Sequence, residues 1–171
     1  MSYSVEKLIQ KNRDWTKDDF VFFWGHRKGK KIGKTCFSQW YEIEFEVDGH
    51  RYNCAEQYMM AQKAWLFKDR SVFAKILDST DPKEIKALGR EVENFDPKIW
   101  NQHKFEIVVK GNLGKFGCNL ELKDFLYREF LPSFQYPISY RMDLLLQESY
   151  HLWITENFLT PDSLRIYQGF T

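Results

Sequence analysis

A mainly α-helical domain with one small β-hairpin near its N-terminus is the fold class this sequence predicts. Two observations carry most of that expectation. From residue 54 to residue 130 the chain passes through five stretches of helical spacing, most of them bounded by residues suited to helix ends. Before them, "YEIEFEVDGHRY" (41–52) alternates strictly and ends its first half on Asp48-Gly49, the pair that closes a two-residue hairpin turn. A third observation sets the scale: 171 residues, 43% apolar and 18% aromatic, suit a packed single core.

The elements follow in order. Residues 3–12 read as a short helix. "FVFFWG" (20–25), an aromatic apolar run closed by glycine, reads as a buried strand, and "HRKGKKIGK" (26–34) as a glycine-broken basic loop. In the hairpin, Ile43, Phe45 and Val47 face one way and Glu42, Glu44 and Glu46 the other. Helix is expected over 54–68 with Asn53 as N-cap, then over 71–78, ending before "STDP". Asp81-Pro82 starts a third helix, 82–91, and "DPKIW" a fourth, from about 97 to 113, stopped by Gly111 or Gly114. "NLELKDFLYREF" (119–130) makes the fifth, with Asn119 as a cap candidate. Beyond Pro132 the signals mix: "MDLLLQESYHLWI" has helix-like stripes, and Pro161 and Gly169 break the end. With no internal repeat and no Gly/Ser linker, residues 1–171 are expected to form one domain.

Composition narrows the function. A net charge of +1 provides no global field toward nucleic acid or membrane, so any phosphate contact must come from a local patch. Cys36, Cys54 and Cys118 show neither a CxxC nor a Cys/His spacing, so neither a metal site nor a disulfide framework is expected. "GKKIGKT" has too few residues between its glycines for a Walker loop, and no other cofactor motif occurs. The first residues lack an apolar leader core and no stretch approaches ~18 apolar residues. A cytoplasmic, reducing setting without membrane contact is the expectation; no feature specifies an oligomeric state.

Candidate chemistry lies in four places. The loop 26–34 sets Arg27, Lys28, Lys30, Lys31 and Lys34 among glycines, which suits either a solvated loop or an anion contact. Phe23, Trp24, Trp40 and Tyr41 fall near one end of the hairpin, where aromatics either fill the core or sandwich a heterocycle at ~1–3 kcal/mol per base. In "CAEQYMMAQK" (54–63), steps of four and seven residues place Glu56, Met60 and Lys63 on one helix face. That face is either a half-exposed stripe or a pocket in which burial raises a carboxylate's pKa and lowers an amine's. Arg90 can complement a helix C-terminus, and Lys115, between Gly114 and Phe116, suits either a loop or an anion contact. His26, His50, His103 and His151 lie in no recognised pattern and receive no role.

Four ordered blocks, "FWG", "FSQWYEIEFEVDGHRYNCAEQYMMAQKAWLF", "DPKEIKALGREVENFDPKIW" and "IVVKGNLGKFGCNLELKDFL", resemble the NADAR, or YbiA-like, family over about residues 20–127. The run from Phe37 to Phe67 is the most specific part. The resemblance implies a mainly helical YbiA-like fold and hydrolysis of the N-glycosidic bond between a ribose and a base. Implied substrates are phosphorylated ribosylamino-pyrimidines of riboflavin synthesis, or ADP-ribose attached to guanine, including guanine in nucleic acid. The family's Glu and Lys fall on Glu56 and Lys63 as catalytic residues, and three roles stay open for Lys63: protonating the leaving base, holding a phosphate, or attacking C1 of an opened ribose as an amine. Its first block falls on Trp24 and Gly25 beside Phe23, its "GR" on Gly89-Arg90 and its "KF" on Lys115-Phe116. Phe23, Trp24, Gly25, Trp40, Arg90, Lys115 and Asn119 form the expected substrate-binding set, with no metal or cofactor. Residues 128–171 depart from the family pattern and form an atypical tail. Two other readings stay open: a catalytically impaired ADP-ribose- or nucleotide-binding domain, and a nucleic-acid-binding module built on loop 26–34.

Overall fold

Strands β1 (Phe45–Val47) and β2 (His50–Tyr52) pair antiparallel, with Phe45 opposite Tyr52 and Val47 opposite His50. Asp48 and Gly49 take φ values of 53° and 75°, the two left-handed residues that a turn matching the strand twist requires. Phe45 and Tyr52 point into the core while Glu44 and Glu46 stay in solvent, as the alternation dictates. The Ile43 N–H donates to the Asn53 carbonyl at 2.8 Å, carrying the pairing one step beyond the strands.

These features belong to a computed structural model that describes residues 23–130. The helix expected at 3–12, the start of the strand expected at 20–25 and the tail beyond residue 130 lie outside the described residues. Residues 23–25 form no strand; Gly25 turns the chain there at φ 74°.

Five α-helices follow the hairpin among the described residues: α1 (Ala55–Leu66), α2 (Arg70–Asp78), α3 (Pro82–Leu88), α4 (Pro97–Cys118) and α5 (Leu120–Phe130). Helix α1 packs against α2, α3, α4 and β2. Its residues 55–61 are buried without interruption, so these first two turns are enclosed on all sides, while Trp65 in the last turn is exposed. Aspartates open three of the others. Asp69 accepts from Val72 N–H at 3.0 Å, and its second oxygen accepts from Glu93 N–H at 3.1 Å. Asp81 accepts from Lys83 N–H at 2.9 Å and Asp96 from Lys98 N–H at 2.7 Å, each followed by a proline at the first helical position.

Three local expectations are corrected. Cys54, not Asn53, occupies the N-cap of α1, and the Asn53 N–H instead donates to Gln57 Oε1 at 2.6 Å. Helix α3 ends at Leu88, three residues early, with Gly89 in the cap position. Helix α4 runs through both Gly111 and Gly114 to Cys118. These glycines mark close approach, not helix breaks. A Cβ on Gly111 would stand 2.6 Å from Tyr58 Cδ1, and one on Gly114 would stand 2.5 Å from Val47 Cγ2. Their absence lets α4 lie directly on α1 and on the hairpin. No helix among the described residues is long and apolar enough to cross a membrane.

Gly111→Ala is expected to destabilise by ~1–3 kcal/mol through overpacking against Tyr58. Gly117→Ala, in the same helix with nothing within 4 Å of the added carbon, should stabilise by up to ~1 kcal/mol. Urea denaturation of both variants is the measurement, and equal shifts would contradict the packing account.

Candidate active site

The site is organised by two successive peptides just after the 3₁₀ turn Lys34–Phe37. The Ser38 carbonyl accepts from Lys115 Nζ at 2.7 Å, and the Gln39 carbonyl accepts from the Glu56 N–H at 3.0 Å. The Gln39 side chain donates to Asn112 Oδ1 at 3.2 Å, and Asn112 Nδ2 donates to the Val108 carbonyl at 3.0 Å. The first turn of α1 and the middle of α4 are thereby fixed to one short segment. Glu56 is 1% exposed and Lys115 is 0% exposed. Removing an anion and a cation from water costs several kcal/mol each, which well-formed partners must offset. The position of Glu56 in the first turn helps, since the N-terminal end of a helix favours negative charge.

Nearby thiols report the same electrostatics. Burial pushes Cys54 up to about 11, with the Glu56 charge raising it further and the Lys115 charge opposing. Burial likewise pushes Cys36 up to about 11, again opposed by Lys115.

Lys63 lies two turns along α1. Its Nζ donates to the Gly89 carbonyl at 2.6 Å and stands 4.0 Å from the centre of the Phe95 ring. Burial lowers its pKa, because the charged form loses hydration. Gly89 is a glycine for a visible reason: the Met60 side chain fills the place of its missing Cβ. Glu56, Met60 and Lys63 therefore do line one side of α1, with the carboxylate at its N-terminal end and the amine against the end of α3.

The aromatic residues divide. Phe23 packs on Phe37 with ring centres 6.0 Å apart, and Tyr41 is buried. Trp24, next to the left-handed Gly25, is 82% exposed. Trp40 is half-buried, with the His26 ring centre at 5.5 Å and Lys86 Nζ at 5.4 Å from its ring centre. Arg90 is exposed just beyond α3. Asn119 caps the C-terminus of α4: its amide donates to the Lys115 carbonyl at 2.8 Å and to the Glu44 carbonyl at 3.2 Å. Its backbone carbonyl accepts from Lys123 N–H at 2.9 Å, so it joins α4 to α5 and to the hairpin.

Of the expected residues, the fold gathers Glu56, Trp40 and Lys115 around positions 38–40 and places Lys63 and Arg90 at the end of α3. Gln39, Asn112, His26 and Lys86 had no visible role in the sequence. Gln39, Lys86 and Asn112 lie inside the blocks that resemble the family, but nothing in the sequence pairs Gln39 with Asn112, 73 positions away. The basic loop is partly compensated: Lys30 and Lys31 share a groove with Glu121, Asp124 and Glu129, and Lys34 lies 3.8 Å from Glu129.

The description of the NADAR domain matches residues 22–129. The chain belongs to the NADAR domain family. Over 110 residues this NADAR chain is 46% identical to N-glycosidase R617 of Acanthamoeba polyphaga mimivirus, covering 61% of this chain and 64% of that protein. It is 32% identical over 80 residues to Protein irg-1 of Caenorhabditis elegans, covering 46% of this chain and 38% of that protein. It thus spans less than two thirds of either relative. The NMR structure of the Escherichia coli protein YbiA shares its fold, with a TM-score of 0.59 and 21% identity over 88% of this chain and 94% of that one. The NADAR match ends at residue 129, before nearly all of the atypical tail.

The thiols supply a test. Cys36 and Cys54 are buried and Cys118 exposed. Native protein treated with iodoacetamide near pH 8 is expected to take one label by mass spectrometry, at Cys118, and three after denaturation. Since the two buried thiols sit near 11 against 9.0 for a free thiol, their contribution to stability is intact below pH 9 and is lost between pH 9 and 11. Denaturation midpoints measured across that range should fall less steeply in a Cys36→Ala/Cys54→Ala variant.

Proposed function

We propose that this chain is an N-glycosidase that hydrolyses the bond between a ribose carbon and a base nitrogen. The observation that carries the reading is the fully buried Glu56, fixed through its own N–H to Gln39 in the turn beside buried Lys115. The name of the mimivirus relative points the same way. When the C1′–N bond breaks, its electron pair leaves with the base and positive charge builds on the ribose. A carboxylate facing that carbon stabilises the charge and takes a proton from the attacking water. A low-dielectric position strengthens both effects. The leaving nitrogen needs a proton, and Lys63, whose proton burial makes easier to release, is the acid on the same face of α1.

The substrate class that fits is a phosphorylated ribosylamino-pyrimidine or an ADP-ribosyl-guanine, free or in nucleic acid. Trp40 offers a half-buried ring for the base, and exposed Arg90 offers a bidentate contact to phosphate. Buried free thiols at Cys36 and Cys54 suit a reducing, cytoplasmic setting.

Purified protein is expected to release free base from one of these substrates, read by chromatography. Glu56→Gln should lower kcat by ~10²–10⁴-fold, and Trp40→Ala should raise KM by ~5- to 100-fold through lost stacking. Glu56→Gln activity equal to wild type would remove the carboxylate from the mechanism. Tight ADP-ribose binding without base release would instead make the chain a binding domain.

A further inference from the structure

Lys63 is held between two unlike partners. Its Nζ donates to the Gly89 carbonyl at 2.6 Å and lies 4.0 Å from the centre of the Phe95 ring. That is well inside the ~6 Å at which a ring face attracts a cation. Both partners belong to the connection between α3 and α4, residues 89–96, which forms no helix or strand. The connection is nevertheless pinned. Val92 is buried, the Glu93 N–H donates to Asp69 Oδ2 at 3.1 Å, and Asn94 turns the chain at φ 55°. One residue further on, the Asp96 carboxylate caps α4. Phe95 sits between Asn94 and Asp96, in a T-shaped contact with Phe67 at 5.3 Å between ring centres. It keeps 40% of its surface exposed, so burial is only part of what its ring contributes. The other part is a face set against an ammonium.

We propose that Phe95 is a positioning residue for Lys63, whose ring holds the ammonium at the Gly89 carbonyl and keeps it charged until the leaving base takes its proton. The inference rests on the N-glycosidase reading and adds a residue to it. Burial strips water from Lys63 and lowers its pKa. The cause is burial rather than the charged side chains on the surrounding elements: Glu56 on its own helix, Asp69 in α2's cap, Lys86 in α3, and Arg90, Glu91 and Glu93 in the connection. The negative face of an aromatic ring acts in the opposite direction, because it favours the ammonium over the neutral amine. An apolar cover without that face would exclude water as well but leave the proton easier to lose. In the reaction, the electron pair of the breaking C1′–N bond stays on the base nitrogen and forms its new bond to the Nζ proton. The neutral amine regains a proton from solvent after the base departs.

The test compares wild type with Phe95→Leu, which keeps an apolar cover without a ring, and Phe95→Tyr, which keeps the ring. The pH titration of Lys63 is followed by NMR on protein carrying carbon-13-labelled lysine, with Lys63→Arg assigning the signal. Phe95→Leu is expected to lower the Lys63 midpoint by ~0.4–1.5 pH units, the span of a cation–π contact converted to pH, and Phe95→Tyr by less than ~0.3. The acid must be protonated to work, so activity is lost as pH rises through its pKa. The alkaline limb of the kcat profile should therefore move to lower pH in Phe95→Leu by the same amount, with KM within about twofold. An unmoved or raised midpoint in Phe95→Leu, or an equal shift in Phe95→Tyr, would overturn the inference. A fall in kcat with the alkaline limb in place would reduce Phe95 to a packing residue. If no substrate releases base while the midpoint drops in Phe95→Leu and holds in Phe95→Tyr, the N-glycosidase reading fails and the hold of Phe95 on Lys63 stands. Matching thermal melting midpoints of the variants exclude misfolding as the cause.

Discussion

Helix α1 is enclosed on every side over its first two turns, residues 55–61, and much of the molecule answers to that one fact. A helix so enclosed cannot leave its polar side chains to water, so each must be met by a specific partner. Gln57 shows how strictly this works. Its Nε2 donates to the Ile76 and Ser79 carbonyls at 2.9 and 2.8 Å, while its Oε1 accepts from Asn53 N–H. One side chain thereby closes the end of α2 and the entry to α1 together. The neighbouring helices come close enough to do this only because residues facing α1 are small. Gly111 gives way to Tyr58 and Gly89 to Met60.

The same enclosure gives the site its chemistry. A Glu in the first turn of an exposed helix would be an ordinary stabilising charge of a few tenths of a kcal/mol to ~1 kcal/mol. Here Glu56 sits inside, beside an equally buried Lys115, at a position whose desolvation is expensive. Such an arrangement is weak evidence for stability, because apolar residues of similar size often serve the core as well. Its place is set by the backbone, since the Gln39 carbonyl accepts the Glu56 N–H while the Gln39 side chain is tied to Asn112. Surrounding residues grade outward from there: Trp40 half-buried, then Lys86 above its ring, then exposed Trp24.

Elements whose rules are local were legible in the sequence. The hairpin followed from alternation and from Asp48-Gly49, and α3 and α4 opened where Asp-Pro pairs announced them. Expectations failed where a packing or hydrogen-bond partner that the local rules do not count decided the matter. Gly111 and Gly114 looked like stops because glycine weakens a helix by about 1 kcal/mol; packing against Tyr58, Phe45 and Val47 overrides so small a term. Asn53 looked like a cap because its side chain suits one, yet Gln57 claims its N–H and leaves Cys54 in the cap position.

For the site, the sequence by itself determined the family, the shared face of Glu56 and Lys63, and the order of the blocks, since helical spacing and motif order are properties of the chain alone. Only the tertiary structure decided that this face is buried, that Lys115 joins Glu56 at positions 38–39, and that Lys63 reaches the end of α3 instead. It also assigned His26 and Lys86 to Trp40. Burial and long-range hydrogen bonds depend on which helices meet, and a one-dimensional pattern carries no record of contacts between residues 46 or 73 positions apart.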